Sequence, residues 1–208
     1  MMKKLKLFIW PLLTLAAVLI WLLITGERDS EAVRAQVVRY HVVANSDSKE
    51  DQQIKILLRD RLFESIEALF EDCEDAEAAI RTAEANRARL EAEGEDYLRS
   101  IGVEDGVSVT VGPCFFPTKS YGSLSFPPGE YQAVRVTVGE GKGENFWCVL
   151  YPALCLSPAV SDEEGEAKMA IAVGEEATAF LQKEGQIRSV KFRLVEWFEQ
   201  ICHKIKNS

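Results

Sequence analysis

The chain has 208 residues, with 24 Lys and Arg against 33 Asp and Glu, a formal net charge of −9. Without Lys3, Lys4 and Lys6 the remainder carries 21 basic and 33 acidic side chains, a net charge of −12. An acidic domain of this kind excludes non-specific binding to nucleic acid or anionic lipid, and the charge serves solubility.

Met1 to Lys6 holds three lysines and no acid, and Leu7 to Ile24 is an uncharged apolar run of eighteen residues with one hydroxyl, Thr14. A signal-peptide core spans roughly 7–15 residues and a membrane-crossing helix about 20, so this run lies between the two. The lysines before it and Glu27, Asp29 and Glu31 after it keep the short N-terminus inside and send the rest out of the cytoplasm. Residues 1–26 are therefore a signal peptide or membrane anchor. No A-x-A motif follows the run closely, and cleavage after Ala35 would fall about ten residues beyond it, so a retained anchor is favoured over a cleaved leader.

Residues 27–36 are polar and charged and are expected to form a short linker, leaving 37–208 as one domain. Val37 to Ala44 (VVRYHVVA) predicts a buried strand. Asp47 or Ser48 then caps a helix with apolar residues at 54, 57, 58, 62, 66, 69 and 70, ending near 71–74. A second helix runs from about Asp75 to Ser100. Ala76, Ile80, Ala83, Leu90, Gly94, Tyr97 and Ile101 form a small-residue face for close approach to the first helix. Gly102 ends it, and the two helices form an antiparallel hairpin.

Val107–Val111, Tyr131–Val138 and Glu144–Tyr151 predict three further strands, with a mobile glycine turn over 139–143. Between the first two, residues 112–130 (GPCFFPTKSYGSLSFPPGE) predict a long loop rich in aromatics, Pro and Gly. Residues 161–179 are acidic and rich in small side chains, partly helical or mobile. Residues 187–206 predict a short strand and then an amphipathic C-terminal helix. The fold class is α+β: a small mixed or antiparallel sheet, a long helical hairpin and a C-terminal helix, behind an N-terminal hydrophobic helix.

Three stretches resemble the stage II sporulation protein R family of endospore-forming bacteria. They are RYHVVANSDSKEDQQIKILLRDRL at 39–62, FFPTKSYGSLSFPPGEYQAVRVTVGEGKGENFWCVLYPALC at 115–155, and VKFRLVEWFE at 190–199. Phe146-Trp147 stands where the family commonly has two tryptophans, and Tyr151 where it has phenylalanine. Cys114 and Cys202 are not family-wide features. The resemblance implies a protein exported from the forespore into the space between the two sporulating cells. There it would trigger a membrane-embedded aspartic protease that cleaves the precursor of sigma-E, acting as an activator and not as an enzyme. It implies no cofactor.

The residues themselves offer few rivals. An extracytoplasmic envelope-binding module is one. A thiol enzyme is another, since Cys148 or Cys155 with His41 is the available nucleophile–base set. No CxxC, HExxH or Cys/His cluster has metal-ligand spacing. Asn45, Asp47, Asp51 and Asp60 fit no calcium loop, and a helix cap is favoured there. Export permits disulfides, and five cysteines leave at least one unpaired in a monomer. Cys148 and Cys155 would bond only if the chain reverses at Tyr151-Pro152-Ala153, because seven extended residues separate Cα atoms by about 20 Å; a disulfide and two buried thiols both stand. For partner recognition, aromatics on a Pro-stiffened loop offer contact area at low entropic cost. That points to Phe116, Pro117, Lys119, Tyr121, Gly122, Tyr131 and Trp147, with packing of the same rings on the sheet as the alternative.

Overall fold

In a computed structural model of the chain, the structure describes residues 2–152 and 162–182, together with Arg193, Trp197, Phe198, Ile201 and Ile205. Side chains are described from Trp10 onward, except those of Pro11 and residues 162–164 within this set.

Helix α1 (Met2–Gln36) leads into strand β1 (Val38–Val43), whose six residues are all buried. The helical hairpin follows as α2 (Lys49–Phe70) and α3 (Ala76–Ser100). Ser48 caps α2 by accepting the Asp51 N–H at 3.0 Å, and Asp75 caps α3 by accepting that of Ala78 at 2.6 Å. Strand β2 (Val107–Phe116), a hairpin of β3 (Lys119–Tyr121) and β4 (Leu124–Phe126), β5 (Gly129–Val138) and β6 (Asn145–Tyr151) complete the strands. Helices α4 (Asp162–Val173) and α5 (Glu175–Leu181) follow. The main sheet has the order β2-β5-β1-β6, with β1 parallel to β5 and antiparallel to β6.

Strand alternation sorts the core into two layers. Val38, Tyr40 and Val42 of β1, with Val109, Val136 and Leu150, pack on Leu58, Leu62, Ile66, Leu90 and Leu98 of the helical hairpin. Gly94 lets the hairpin close on the sheet: a Cβ there would sit 3.0 Å from Val107 and 3.4 Å from Leu58. The buried stripe of α3 is Ala76, Ala79, Ala83, Leu90, Gly94 and Leu98, turned slightly from the expected one, and Ile101 is exposed. The opposite sheet face buries Phe116, Tyr131, Ala133 and Val149 under Val33, Val37, the β3–β4 hairpin, Met169, Val173, Phe180 and Leu181.

Three expectations need correction. Residues 27–36 are not a linker: they are the last turns of α1. Gly26, Ser30, Val33 and Val37, spaced four, three and four residues apart, are buried. The polar residues that suggest a linker, such as Arg28 and Glu31, lie on the helix's solvated side. Arg34 ties this end down, pairing with Glu27 and donating to the Pro128 carbonyl at 3.2 Å. Segment 112–130 is not a long loop. Gly112–Phe116 prolong β2, Gly122 turns the β3–β4 hairpin at φ +56°, and Gly129 starts β5. Pro113 is tolerated because β2 is an edge strand. Its outward-facing Val109 N–H is taken by the Glu91 carboxylate at 2.9 Å. The 139–143 turn, expected to be mobile, is bonded to the start of the β1–α2 loop, Lys142 N–H to Asn45 O at 3.0 Å and Gly143 N–H to Ala44 O at 2.9 Å.

Among the described residues no helix is long and apolar enough to cross a membrane. The run Leu7–Ile24 begins within α1 among side chains outside the described set. Most of the predicted strand and helix over 187–206 also lies outside the described residues; the five of its residues that are described are helical.

Candidate functional site

Three consecutive residues of β1 bury a polar atom without a hydrogen-bond partner: Arg39 Nη1, Tyr40 Oη and His41 Nε2. Such orphans are uncommon in a native interior and mark a place to look for function. Tyr40 faces the helical hairpin, and burial raises its hydroxyl pKa far above the ordinary value. Arg39 and His41 face the other side.

Arg39 is fully buried. Its Nε donates to the Cys148 carbonyl at 2.9 Å and its Nη2 to the Tyr121 hydroxyl at 3.1 Å. The guanidinium carbon lies 4.5 Å from the ring centre of Phe116, 4.9 Å from Tyr131, 5.1 Å from Phe126 and 5.8 Å from Tyr121. This is an aromatic box around a cation, held by ring quadrupoles and neutral acceptors. Tyr121 passes its own proton to the Trp147 carbonyl at 2.9 Å, and Tyr131 donates to Pro127 O at 2.5 Å. Burial raises both phenol pKa values, while the Arg39 charge opposes the rise.

One row along the sheet, His41 stacks on Trp147 with ring centres 4.0 Å apart and planes 17° apart. Phe116 meets Trp147 edge-on at 4.9 Å. Lys119 Nζ lies 5.7 Å from the Trp147 ring centre. Cys114 Sγ is 3.8 Å from His41 Nδ1. Burial lowers the His41 pKa to about 4 and raises that of the Cys114 thiol. Both groups are thus neutral near pH 7, the reverse of an activated thiolate–imidazolium pair.

The loop after β1 is a clasp. Asn45 Oδ1 accepts the Glu140 N–H at 2.9 Å, Asp47 Oδ1 accepts that of Glu144 at 2.6 Å, and Lys55 Nζ donates to Glu144 O at 3.0 Å. Ser46 gives its hydroxyl proton to Asp51. Gly143 is required there, since a Cβ would sit 2.2 Å from Ser46 O. Among the described residues no group of acids, histidines and cysteines is placed to hold a metal ion.

The expected recognition residues divide by depth. Phe116 and Tyr131 are core residues of the Arg39 box. Tyr121 and Lys119 are half-buried beside it, as is Trp147. Pro117, between β2 and β3, and Gly122, at the turn of the β3–β4 hairpin, are exposed. Cys148 pairs with Tyr40 across the strands and lies in the layer under the helical hairpin, so it does not meet His41; Cys114 does. Cys73 and Cys114 are free thiols. Cys148 is disulfide-bonded; Cys155, which the sequence leaves open as a partner or a buried thiol, lies outside the described residues. Arg39 is a site residue that no sequence motif singles out. Its signal is a cation between two valine pairs in an otherwise apolar strand.

The family model for stage II sporulation protein R matches residues 34–161. A relative from Bacillus subtilis (strain 168), named stage II sporulation protein R, is 33% identical over 192 residues, covering 85% of this chain and 86% of the relative. No solved structure matches the chain.

Proposed function

This chain belongs to the stage II sporulation protein R family, and from that premise we propose that it is an exported signal that activates a membrane-embedded aspartic protease, which then cleaves the sigma-E precursor. The apolar run Leu7–Ile24 behind three lysines supports export from the forespore into the space between the two cells. The observation that carries attachment is the continuity of α1, whose final turns bury Ser30 and Val33, the latter packing with Val37 just beyond the helix on the sheet. Cleavage after Ala35 would remove two of these core residues. That loss supports a retained segment, with the domain working beside the membrane of its origin.

The activity is contact and not catalysis. Cys114 and His41 are within reach of each other, but burial holds both in their uncharged forms. The test is co-production of this protein, the protease and the sigma-E precursor in a host that does not sporulate. Cleavage that requires this protein, and survives Cys114→Ser, supports activation by contact. Cleavage without it, or none with all three present, rejects the proposal.

A further inference from the structure

The second layer covers only part of its sheet face. It lies over the row Gly112, Ala133, Arg39 and Val149. The next row in register is Thr110 on β2, Arg135 on β5, His41 on β1 and Trp147 on β6. Thr110 and Arg135 are exposed there, as are Ser108 and Asn145 one row further. His41 and Val43 of β1 are buried, so the open part is a shelf over β2 and β5, two strands about 4.8 Å apart, beside the half-buried Trp147.

Its charge differs from that of the rest of the domain. The arginines of the helical hairpin are largely committed to carboxylates, as in Arg61 with Glu93, Arg81 with Glu77 and Arg99 with Asp96. Arg135 and Lys119 have no carboxylate partner among the described residues. Arg135 is the charged neighbour acting on both His41 and Cys114, and it pushes both towards their less positive forms. Buried Arg39 adds a third positive charge in the adjacent row. His41 is 4% exposed and its Nε2 has no hydrogen-bond partner. The shelf is thus cationic and rimmed by Trp147, on a domain whose net charge is −12 outside the N-terminal lysines.

We propose that this shelf, with Arg135 and Lys119 as its charged contacts and Trp147 as its apolar rim, receives an acidic segment of the partner protein. The inference rests on the contact-activation reading above and names where the contact is made. Arg135 offers a planar fork suited to a carboxylate, and Lys119 a second cation above the indole. A protein segment is favoured over anionic lipid because a −12 domain is repelled as a whole by an anionic membrane, while a short acidic strand meets only the local cations.

The test uses the full chain in the three-component host. Arg135→Glu with Lys119→Glu is expected to lower precursor cleavage at least tenfold, with Arg135→Gln giving a smaller loss. Arg81→Glu reverses one charge on the opposite, helical side, as Arg135→Glu alone would on the shelf, and is expected to leave cleavage intact. Thermal melting of each purified variant accompanies the assay, and melting points near that of the unaltered protein tie the loss to the shelf. Full cleavage by the folded double variant overturns the shelf while leaving contact activation standing, and so does equal loss in Arg81→Glu. A melting point lowered as far as the loss requires also overturns it, unless Arg135→Gln melts normally and still loses cleavage. Sedimentation with phosphatidylglycerol vesicles that depends on Arg135 would replace the protein segment by lipid. Absence of cleavage with the unaltered chain rejects the activation reading itself.

Discussion

Replacing Arg39 by lysine should harm the fold more than replacing it by methionine, against the usual ranking of conservative changes. The guanidinium is fully buried, donates two hydrogen bonds at 2.9 and 3.1 Å, and leaves Nη1 without a partner. Each bond from a charged donor contributes about 1.5–3 kcal/mol, and stacking on the aromatic rings adds about 0.5–2 kcal/mol per good contact. Opposing these is the desolvation of an unpaired cation, several kcal/mol even after relaxation. Methionine fills similar volume and removes both the charge and its desolvation cost. It leaves the Cys148 carbonyl without its donor, at about 1–3 kcal/mol, while Tyr121 keeps its bond to the Trp147 carbonyl. The net loss for Arg39→Met is about 1–2 kcal/mol. Lysine keeps a buried charge, now a strongly hydrated point with three donors and no planar face to stack, and the loss is about 3–5 kcal/mol. Urea unfolding of a chain beginning at Gly26, followed by tryptophan fluorescence, measures both. A methionine variant less stable than the lysine variant would refute the claim that burial of the charge dominates at this site.

Three further outcomes follow from the same geometry. Below pH 6.5 the unfolded chain's imidazole takes a proton that folded His41 refuses until about pH 4, so stability falls as pH drops through that window, by at most about 3 kcal/mol. His41→Gln should flatten that part of the unfolding profile between pH 7 and 4.5, and an unchanged slope would contradict it. Gly143→Ala forces a Cβ against the Ser46 carbonyl at 2.2 Å and should cost about 2–3 kcal/mol, whereas Gly106→Ala meets open space and should cost far less; equal melting points would be the contrary result. Val33→Asp places a carboxylate in a fully buried position of α1 and should lose more than about 3 kcal/mol, while Ala35→Asp on the exposed side of the same turn should be nearly neutral. Equal effects would mean that the end of α1 does not belong to the folded domain.

The elements built on local periodicity were legible in the chain. Strand β1 follows from its apolar run, α2 from its stripe and the cap at Ser48, and α3 from its stripe. Elements that depend on tertiary context were not. The polar half of α1 near Arg34 looks like a linker because only one narrow stripe of it, through Ser30 and Val33, is covered. Pro113 looks like a strand breaker until β2 is known to lie at the sheet edge. The Arg39 box and the Cys114–His41 contact join residues more than 70 apart, through a parallel β1–β5 pairing whose register no local pattern reveals. Aromatic enrichment over 112–131 was visible, but whether Phe116 and Tyr131 face a partner or the interior depends on that register; they face the interior.

The most direct measurement places the domain on one side of a membrane and the chemistry on the other. Sealed vesicles would carry the protease in their membrane and the sigma-E precursor inside. The purified chain beginning at Gly26 would be added outside. Contact activation predicts that the enclosed precursor is cleaved, in proportion to the domain added, with no domain entering the vesicle. Cleavage that is unaffected by the added domain, or that occurs only when the domain is sealed inside with the precursor, would contradict it.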